Sequence, residues 1–362
     1  MSPSYKNFLK VFTICPIIYL VIVFFINLWA DSHGLRNFGG RINQSRLVKA
    51  LQVNRLDPDA VLVGSSTVAI GFNPEHQAFE EYGLTYNLGM MGANFYEKYR
   101  YFQHAASAGS LQKAFFGLDF YAFNQFREVK PGFSESRLNS RRMQPQDFFR
   151  LYLSLEALSL INRSDDTQDH FAPDGTIQQL RNFDKVDRVA LFAKHLEQNV
   201  SEEGGMYDGE YALSQEALND LRELISIAHA EGIEVKFFLP PHHATFFYPS
   251  KFSKYREVYE EWLRSVVAIH PVWDFSGCNT ITSKPIESSE PYYEDPLHFT
   301  TRVGDAILDR MYSVTPENIP ADFGKYVTSE NIDSHLSYIE QQCILWAEQN
   351  PETLQWLASL DL

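Results

Sequence analysis

Cysteine is scarce in this sequence, with three copies among 362 residues. Cys15 lies in an apolar N-terminal stretch, and Cys278 and Cys343 are too few and too far apart to indicate a disulfide framework or a metal knuckle. The cysteines therefore indicate no redox compartment. Basic residues are also few, because 31 Lys and Arg stand against 46 Asp and Glu, for a net charge of −15. Nucleic-acid binding needs clustered cations that displace counterions, so nucleic acid is not an expected partner.

Apolar residues, by contrast, are abundant. They make up 44% of the chain, aromatic residues make up 14%, and phenylalanine alone occurs 28 times. This composition provides enough apolar surface for a sizeable core and argues against disorder. A chain of this length fits one α/β domain with insertions, preceded by a membrane anchor.

An uncharged apolar run near the N-terminus predicts a transmembrane anchor. Residues 11–30, VFTICPIIYLVIVFFINLWA, match the roughly 20 residues that cross a bilayer as a helix. The run is longer than the apolar region of a cleavable signal peptide, and its last residues, LWA, make a poor cleavage site. We therefore predict an N-terminal flank over residues 1–10, the anchor over 11–30 and a linker over 31–54. Basic residues occur on both sides of the span and do not decide its orientation.

Short apolar runs that stop at Gly, Asp, Pro or Ser predict the strands of a parallel sheet. Five such runs are Asp59–Val63, Leu84–Leu88, Ala114–Leu118, Ile233–Leu239 and Val272–Phe275. Helical periodicity predicts helices between them, over Phe95–Ala108, Ser214–Glu231 and Lys251–Ile269. The alternation predicts a flavodoxin-like α/β fold, with about five parallel strands and helices on both faces. In such a sheet, ligands bind beyond the carboxyl ends of the strands.

Two regions fit this alternation poorly. Residues 126–200 are polar, rich in Arg, Asp and Gln, and mostly helical in pattern, which indicates a helical insertion or cap. Residues 313–362 contain two amphipathic stretches, which predict a helical tail that packs against the domain. We therefore place the main domain at residues 55–312.

Three polar residues have the chemistry of a hydrolytic triad. Ser66 lies in GSST after the first strand, where a turn into a helix presents a hydroxyl and backbone N–H groups. Near the other end, YYEDPLHFTT places Asp295 three residues before His298. A hydroxyl needs a base to become a nucleophile, and that base needs an acceptor that fixes its tautomer. Taken singly, GSST also fits a helix cap and DPLH a surface turn, so the pairing of the two motifs carries the prediction.

With this order of motifs the chain resembles the SGNH, or GDSL-type, hydrolase superfamily. That family has its serine after the first strand and an Asp-x-x-His near the C-terminus, as Ser66, Asp295 and His298 are placed here. The second family block, a glycine after the second strand, resembles NLGMMGAN at residues 87–94. By this resemblance, the N–H groups of Ser66 and Gly89 stabilise the oxyanion. The likeness covers residues 55–312 by motif order.

The third family block departs from the pattern. The family's Gly-x-Asn-Asp corresponds to GLDF at residues 117–120, which puts Asp119 at the position of the oxyanion-binding asparagine. An ionised carboxylate cannot donate a hydrogen bond, so the resemblance implies a substitute donor, for which Asn94 and Asn124 are candidates. Ser65 also stands where the family has an aspartate before the nucleophile. In this respect the chain resembles a divergent, membrane-anchored branch of the family.

That branch includes proteins similar to the D-alanyl-transfer protein of teichoic acid synthesis and to the alginate O-acetylation proteins. The resemblance implies a membrane-anchored serine esterase or O-acyltransferase, acting on acyl esters of a cell-envelope polysaccharide or related glycan. It also implies a periplasmic or extracellular catalytic domain and leaves room for a membrane-bound acyl-donor partner. No cofactor is expected.

Two other hypotheses remain open. Asp119 is also consistent with a non-catalytic binding or scaffold protein of an envelope-polymer assembly machine. A metal-dependent hydrolase would use His242 or His243 with Asp119, Asp295 and His298. No His-Glu-x-x-His spacing is present, so no metal site is predicted. His242 and His243 follow the fourth predicted strand, so they are also candidates for substrate binding.

Overall fold

The computed structural model describes residues 3–30, 44–153, 170–178, 186–200, 210–286, 292–314, 318–360 and 362. The strands in chain order are β1 Ala60–Gly64, β2 Thr85–Gly89, β3 Lys113–Gly117, β4 His170–Phe171, β5 Ile177–Gln178, β6 Glu234–Leu239, β7 Val272–Asp274 and β8 Lys325–Val327. Six of them form the central sheet, in the order β2-β1-β3-β6-β7-β8, while β4 and β5 form a separate antiparallel hairpin.

Five neighbouring strands of the central sheet run parallel to one another, namely β2, β1, β3, β6 and β7. Strands β1, β2 and β3 are buried along their whole length, which explains why they read in the sequence as continuous apolar runs. Their order is that of a flavodoxin-like sheet, so the predicted fold is confirmed. Strand β8 was not predicted from the sequence. It is short and mostly exposed, and it lies antiparallel to β7 at the sheet edge.

Helices cover both faces of this sheet. In chain order they are α1 Pro3–Ala30, α2 Ser45–Leu56, α3 Ser66–Gly71, α4 Phe95–Ala106, α5 Glu135–Leu138, α6 Pro145–Phe148, α7 Arg188–Val200, α8 Gln215–Glu231, α9 Ala244–Phe247, α10 Arg256–Ile269, α11 Thr301–Tyr312, α12 Ile332–Gln349 and α13 Pro351–Ala358. The helices predicted between strands are confirmed as α4, α8 and α10. Along β1, Val61 and Val63 belong to one apolar cluster and Leu62 to another, so the sheet has a core on each face.

The linker predicted over residues 31–54 is wrong in its C-terminal part. Helix α2 begins at Ser45, and its Val48 and Val53 are fully buried. The domain therefore begins before residue 55. Residues 31–43 of the predicted linker lie outside the described residues.

The insertion predicted at residues 126–200 contains α5, α6, the β4–β5 hairpin and α7. The hairpin was not expected in a helical insertion. Its turn contacts the main sheet, because the carbonyl of Asp174 accepts a hydrogen bond of 2.8 Å from the N–H of Asn87 in β2. Residues 154–169 and 179–185 of the insertion lie outside the described part of the chain.

A disulfide ties the C-terminal region to the sheet. Cys278, in the loop after β7, is bonded to Cys343 of α12, and their Cα atoms lie 5.0 Å apart although 65 residues separate them in sequence. The prediction that these two cysteines are too far apart for a disulfide was therefore wrong, because α12 folds back against that loop. The predicted tail at 313–362 is an integral part of the domain, since β8 extends the sheet and α12 packs into the main core.

Helix α1 contains the predicted anchor. Within it, Asn7–Trp29 is long and apolar enough to cross a membrane, judged by length and composition. Val23 and Asn27 are the buried side chains among those described in this helix. The core helix of a soluble protein is mostly buried, and α1 differs from one in this respect.

Candidate active site

Ser66 is the first residue of α3, directly beyond the carboxyl end of β1. The turn is tight, because a Cβ at Gly64 would come within 2.2 Å of the Val68 side chain. Ser65 is the N-cap, and its Oγ accepts a hydrogen bond of 3.3 Å from the N–H of Thr67. The cap and the glycine together hold Ser66 at the edge of the sheet where ligands bind in this type of fold.

The structure brings Ser66, His298 and Asp295 into one hydrogen-bonded chain. Ser66 Oγ lies 2.8 Å from His298 Nε2, and His298 Nδ1 lies 2.8 Å from Asp295 Oδ2. With the proton on Nδ1, the imidazole donates to the carboxylate and accepts from the hydroxyl. This is the arrangement in which a histidine can take the proton of a serine nucleophile.

The carboxylate of Asp295 is fully buried but well satisfied. Its Oδ1 accepts hydrogen bonds from the N–H groups of Leu297 and His298, at 2.9 and 3.0 Å. Burial alone would raise the pKa of Asp295, but the charge and hydrogen bond of His298 outweigh it and hold that pKa well below its usual range. Asp295 therefore stays ionised and can stabilise a protonated His298.

The segment that carries Asp295 and His298 packs directly against α3. Tyr293 and Phe299 form an isolated bridge that closes this segment into a tight loop. The ring of Phe299 contacts the last residue of α3, Gly71, where a Cβ would come within 2.2 Å of the ring. These contacts explain how two motifs 232 residues apart meet at hydrogen-bond distance.

His195 is a second imidazole beside the carboxylate of Asp295, and it was not predicted from the sequence. His195 lies on α7, within the insertion, and its Nδ1 is 3.7 Å from Asp295 Oδ2. A protonated His195 would add to the charge that lowers the pKa of Asp295. No local motif surrounds His195, so only the fold reveals this proximity.

Gly89 makes structural contacts beside the Ser66 turn, and its role at the oxyanion stays a prediction. Its N–H donates a hydrogen bond of 2.9 Å to Oδ1 of Asn87, so the donor predicted at Gly89 already has an acceptor. A Cβ at this position would come within 2.3 Å of the backbone of Ala69 in α3. The side-chain amide of Asn87 also donates to the carbonyl of Val68, at 2.9 Å. Gly89 and Asn87 therefore allow α3 to lie close against β2.

Asp119 is neutralised by a buried lysine. Its Oδ2 forms an ion pair with Lys98 Nζ, and both side chains are fully buried. Lys98, which lies on α4, also donates to the carbonyl of Gly117, at 3.2 Å. The carboxylate at the family's asparagine position therefore does not present an unbalanced negative charge. It supplies no oxyanion donor, and the lysine partner has no signal in the sequence.

The two asparagines proposed as substitute donors are used to hold the backbone. Asn94 is the N-cap of α4: its Oδ1 accepts from the N–H of Glu97, and its Nδ2 donates to the carbonyl of Arg127, each at 2.9 Å. Asn124 Nδ2 donates to the carbonyl of Glu210, at 2.9 Å. The structure therefore shows both residues bonded to backbone groups, and their role as oxyanion donors stays a prediction. The N–H of Ser66 remains as the predicted donor, in the first turn of α3, where N–H groups lack intrahelical acceptors.

A buried lysine, also missed from the sequence, fixes the end of β2. Lys49 Nζ donates to the carbonyls of Asn87, Gly89 and Gly175, at 2.9, 2.6 and 2.7 Å. Burial lowers the pKa of Lys49 to about 7, opposed by the charge of Asp174. This side chain joins α2, β2 and the β4–β5 hairpin beside the Ser66 turn.

His242 and His243 are both buried and lie after β6. His243 is the N-cap of α9: its Nδ1 bonds to Thr245 Oγ1 and its Nε2 to the carbonyl of Lys284, each at 2.8 Å. Burial lowers the pKa of His243 to about 4, so this imidazole is neutral near neutral pH. The ring of His242 packs edge-on against Phe246. Within the described residues, no group of three or more His, Cys, Asp and Glu side chains could hold a metal ion.

Comparisons with known proteins give similarity of fold only. No protein-family model matches the chain, and no curated protein matches it significantly. A Bacteroides fragilis protein proposed to be an acylhydrolase is 11% identical, with 76% of this chain and 98% of that one covered and a TM-score of 0.38. A Streptococcus pneumoniae protein proposed to be a platelet activating factor is 13% identical, with coverages of 75% and 92% and a TM-score of 0.32. Similarity at this level does not specify the chemistry of a site.

Proposed function

We propose that this chain is a serine-dependent enzyme of acyl esters, either an esterase or an O-acyltransferase, held at a membrane by α1. The observation that carries the proposal is the hydrogen-bonded chain from Ser66 Oγ through His298 to Asp295. A Ser, His and Asp in this order of contacts is the arrangement that activates a hydroxyl for acyl transfer.

In the proposed mechanism, each residue of this chain of contacts has a step. Ser66 Oγ attacks the acyl carbonyl while His298 Nε2 takes the hydroxyl proton. We assign the N–H of Ser66 as a donor to the oxyanion. His298 then gives its proton to the departing alkoxide, which leaves an acyl-serine. An incoming hydroxyl attacks this ester while His298 takes its proton, the bond between the acyl group and Ser66 Oγ breaks, and His298 returns the proton to Ser66 Oγ. Water as the incoming group makes the enzyme an esterase, and a sugar hydroxyl makes it an O-acyltransferase.

The cellular setting of the proposal is the envelope. Persistent disulfides are typical of oxidising compartments, so the Cys278–Cys343 bond supports a domain in the periplasm or outside the cell. A single apolar helix at the N-terminus supports attachment to a membrane. The substrate class, an acyl ester of an envelope glycan, and a membrane-bound acyl donor rest on the resemblance to the membrane-anchored SGNH branch.

A second candidate function is a non-catalytic glycan-binding or scaffold protein of an envelope machine. The observation that favours it is the scarcity of oxyanion donors among the residues that the structure describes, because the N–H of Gly89 is bonded to Asn87 and Asp119 is bonded to Lys98. The catalytic proposal requires the remaining donor at Ser66, and further donors brought by the substrate complex, to suffice.

Hydrolysis of p-nitrophenyl acetate by the full chain in detergent micelles distinguishes the two candidates. We expect Ser66→Ala and His298→Ala each to lower the rate by about 10⁴-fold or more. The two residues act as one unit, so removing either one removes the rate acceleration that both supply together. Ser110→Ala, in the loop before β3, and His229→Ala, on the exposed side of α8, are matched controls and should retain the wild-type rate. An unchanged rate in Ser66→Ala would refute the serine mechanism.

A further inference from the structure

A short segment with exposed aromatic side chains lies beside α1. Residues 145–153, PQDFFRLYL, form α6 and a π-helical turn, and we call this segment the aromatic arm. The ring of Phe24 in α1 packs against Phe148 and Tyr152 of the arm, with centroid distances of 6.0 and 5.6 Å. Asn27 Nδ2 donates a hydrogen bond of 3.0 Å to the carbonyl of Tyr152. The arm thus contacts the apolar span itself.

The position of this contact along α1 sets its depth. The apolar span ends at Trp29, and Phe24 and Asn27 lie five and two residues before it. At a rise of 1.5 Å per residue, the contact lies about 3–8 Å inside the end of the span. Amphipathic segments that lie on a bilayer occupy this depth, at the boundary between headgroups and acyl chains.

The side chains of the arm suit that boundary. Phe149 is 60% exposed and Phe148 is 38% exposed, whereas Leu151 is buried within the protein. Phenylalanine is among the side chains that interfacial segments bury at the boundary between headgroups and acyl chains. The arm therefore exposes aromatic side chains directly beside the apolar span of α1.

The arm is fixed to the domain as well as to α1. Asp147 accepts two hydrogen bonds of 2.8 Å from the guanidinium of Arg137, and both side chains are buried. Arg137 also donates to the carbonyl of Gly132, at 2.8 Å, and the next residue of α5, Leu138, belongs to the main apolar core of the domain. A bidentate Arg–carboxylate pair of this kind gives a defined geometry, so the depth of the arm and the height of the domain are coupled.

We propose that the aromatic arm is a second membrane contact, with Phe148 and Phe149 in the lipid boundary, and that it holds the domain against the bilayer surface. The partner is the lipid bilayer itself. The inference rests on the proposed anchor α1 and is independent of the acyl chemistry at Ser66. It implies that the active site is held close to the membrane surface in a fixed position, without the freedom of a long tether.

Spin-label accessibility tests the depth of the arm in the full chain. In a Cys15→Ser background, a nitroxide is attached at Phe149→Cys and the protein is reconstituted in phosphatidylcholine vesicles. Cys278 and Cys343 are disulfide-bonded and do not take the label. Ile18→Cys in the middle of the span marks the lipid interior, and Tyr326→Cys on β8 marks the aqueous surface, because both native side chains are about half exposed. Collision rates with oxygen and with a water-soluble nickel chelate are then compared.

We expect the oxygen-to-nickel ratio at Phe149→Cys to be several-fold higher than at Tyr326→Cys and to approach the ratio at Ile18→Cys. A ratio at Phe149→Cys equal to that at Tyr326→Cys would place the arm in water and overturn the inference. Low accessibility to both reagents would mean that protein covers the arm, which also overturns it. A water-like ratio at Ile18→Cys would overturn the anchor and the arm together, while the esterase assay of Ser66→Ala would remain a separate test.

Discussion

Asparagine in place of Asp295 is expected to lower kcat for ester hydrolysis by about 10³- to 10⁴-fold, with the loop still folded. The carbonyl oxygen of the asparagine can keep the hydrogen bonds from the N–H groups of Leu297 and His298. Its amide, however, would then face His298 Nδ1, where the native carboxylate Oδ2 lies at 2.8 Å. Since an amide N–H donates, it favours the tautomer with the proton on Nε2, which cannot accept the proton of Ser66.

The measurement for this variant is kcat for p-nitrophenyl acetate, with thermal unfolding as a check of the fold. Asp333→Asn is the matched control, because Asp333 is an exposed carboxylate on α12 and should have no effect on kcat. A kcat for Asp295→Asn within about twofold of the wild type would show that Asp295 does not set the tautomer of a catalytic histidine.

Methionine in place of Lys98 is expected to lower the free energy of unfolding by about 3–5 kcal/mol. The variant leaves the carboxylate of Asp119 buried without its counter-charge, and burying an unpaired charge is costly. Asp119→Leu should cost a similar amount for the converse reason. The double variant should recover most of the loss, because two apolar side chains can replace a buried ion pair with little net cost.

Urea unfolding of the four proteins in the cycle measures the coupling between Lys98 and Asp119. The exposed ion pair of Arg264 with Asp333 provides the control, since Arg264→Met should cost only about 0.2–1 kcal/mol. A cost for Lys98→Met no larger than that for Arg264→Met would contradict the assignment of Asp119 as a buried, lysine-neutralised carboxylate. The site would then retain the charge conflict that the sequence suggested.

Much of the fold could be predicted from the sequence, because buried parallel strands have a strong signature. Strands β1, β2 and β3 are buried on both faces and therefore appear as uninterrupted apolar runs. Polar residues that follow such runs lie at the ligand-binding edge, which is why Ser66 could be proposed before the structure. Strand β8 has three residues, two of them exposed, and therefore leaves no such pattern.

The parts of the site that could not be predicted depend on contacts between distant segments. Lys98 lies 21 residues before Asp119, and His195 lies in an insertion with no motif of its own. Neither pairing produces a local pattern, because each partner is chosen by the packing of helices on the sheet. The same holds for Cys278 and Cys343, whose 65-residue separation says nothing about their distance in space.

Gly89 shows a different limit, because the sequence indicated this position without indicating its packing role. A glycine is needed there for the close approach of α3 to β2, and its N–H is bonded to Asn87. A family motif thus marks a position, while the structure decides whether that position donates to a substrate or permits packing.

Covalent labelling by a fluorophosphonate probe, followed by mass spectrometric mapping of the adduct, tests the central claim most directly. A serine activated by a neighbouring histidine attacks such a probe, and an ordinary surface serine does not. The geometry of Ser66, His298 and Asp295 predicts one adduct on Ser66 in the wild-type chain, and its loss in His298→Ala. A folded wild-type chain with no adduct on Ser66, or an adduct that persists unchanged in His298→Ala, would contradict the account.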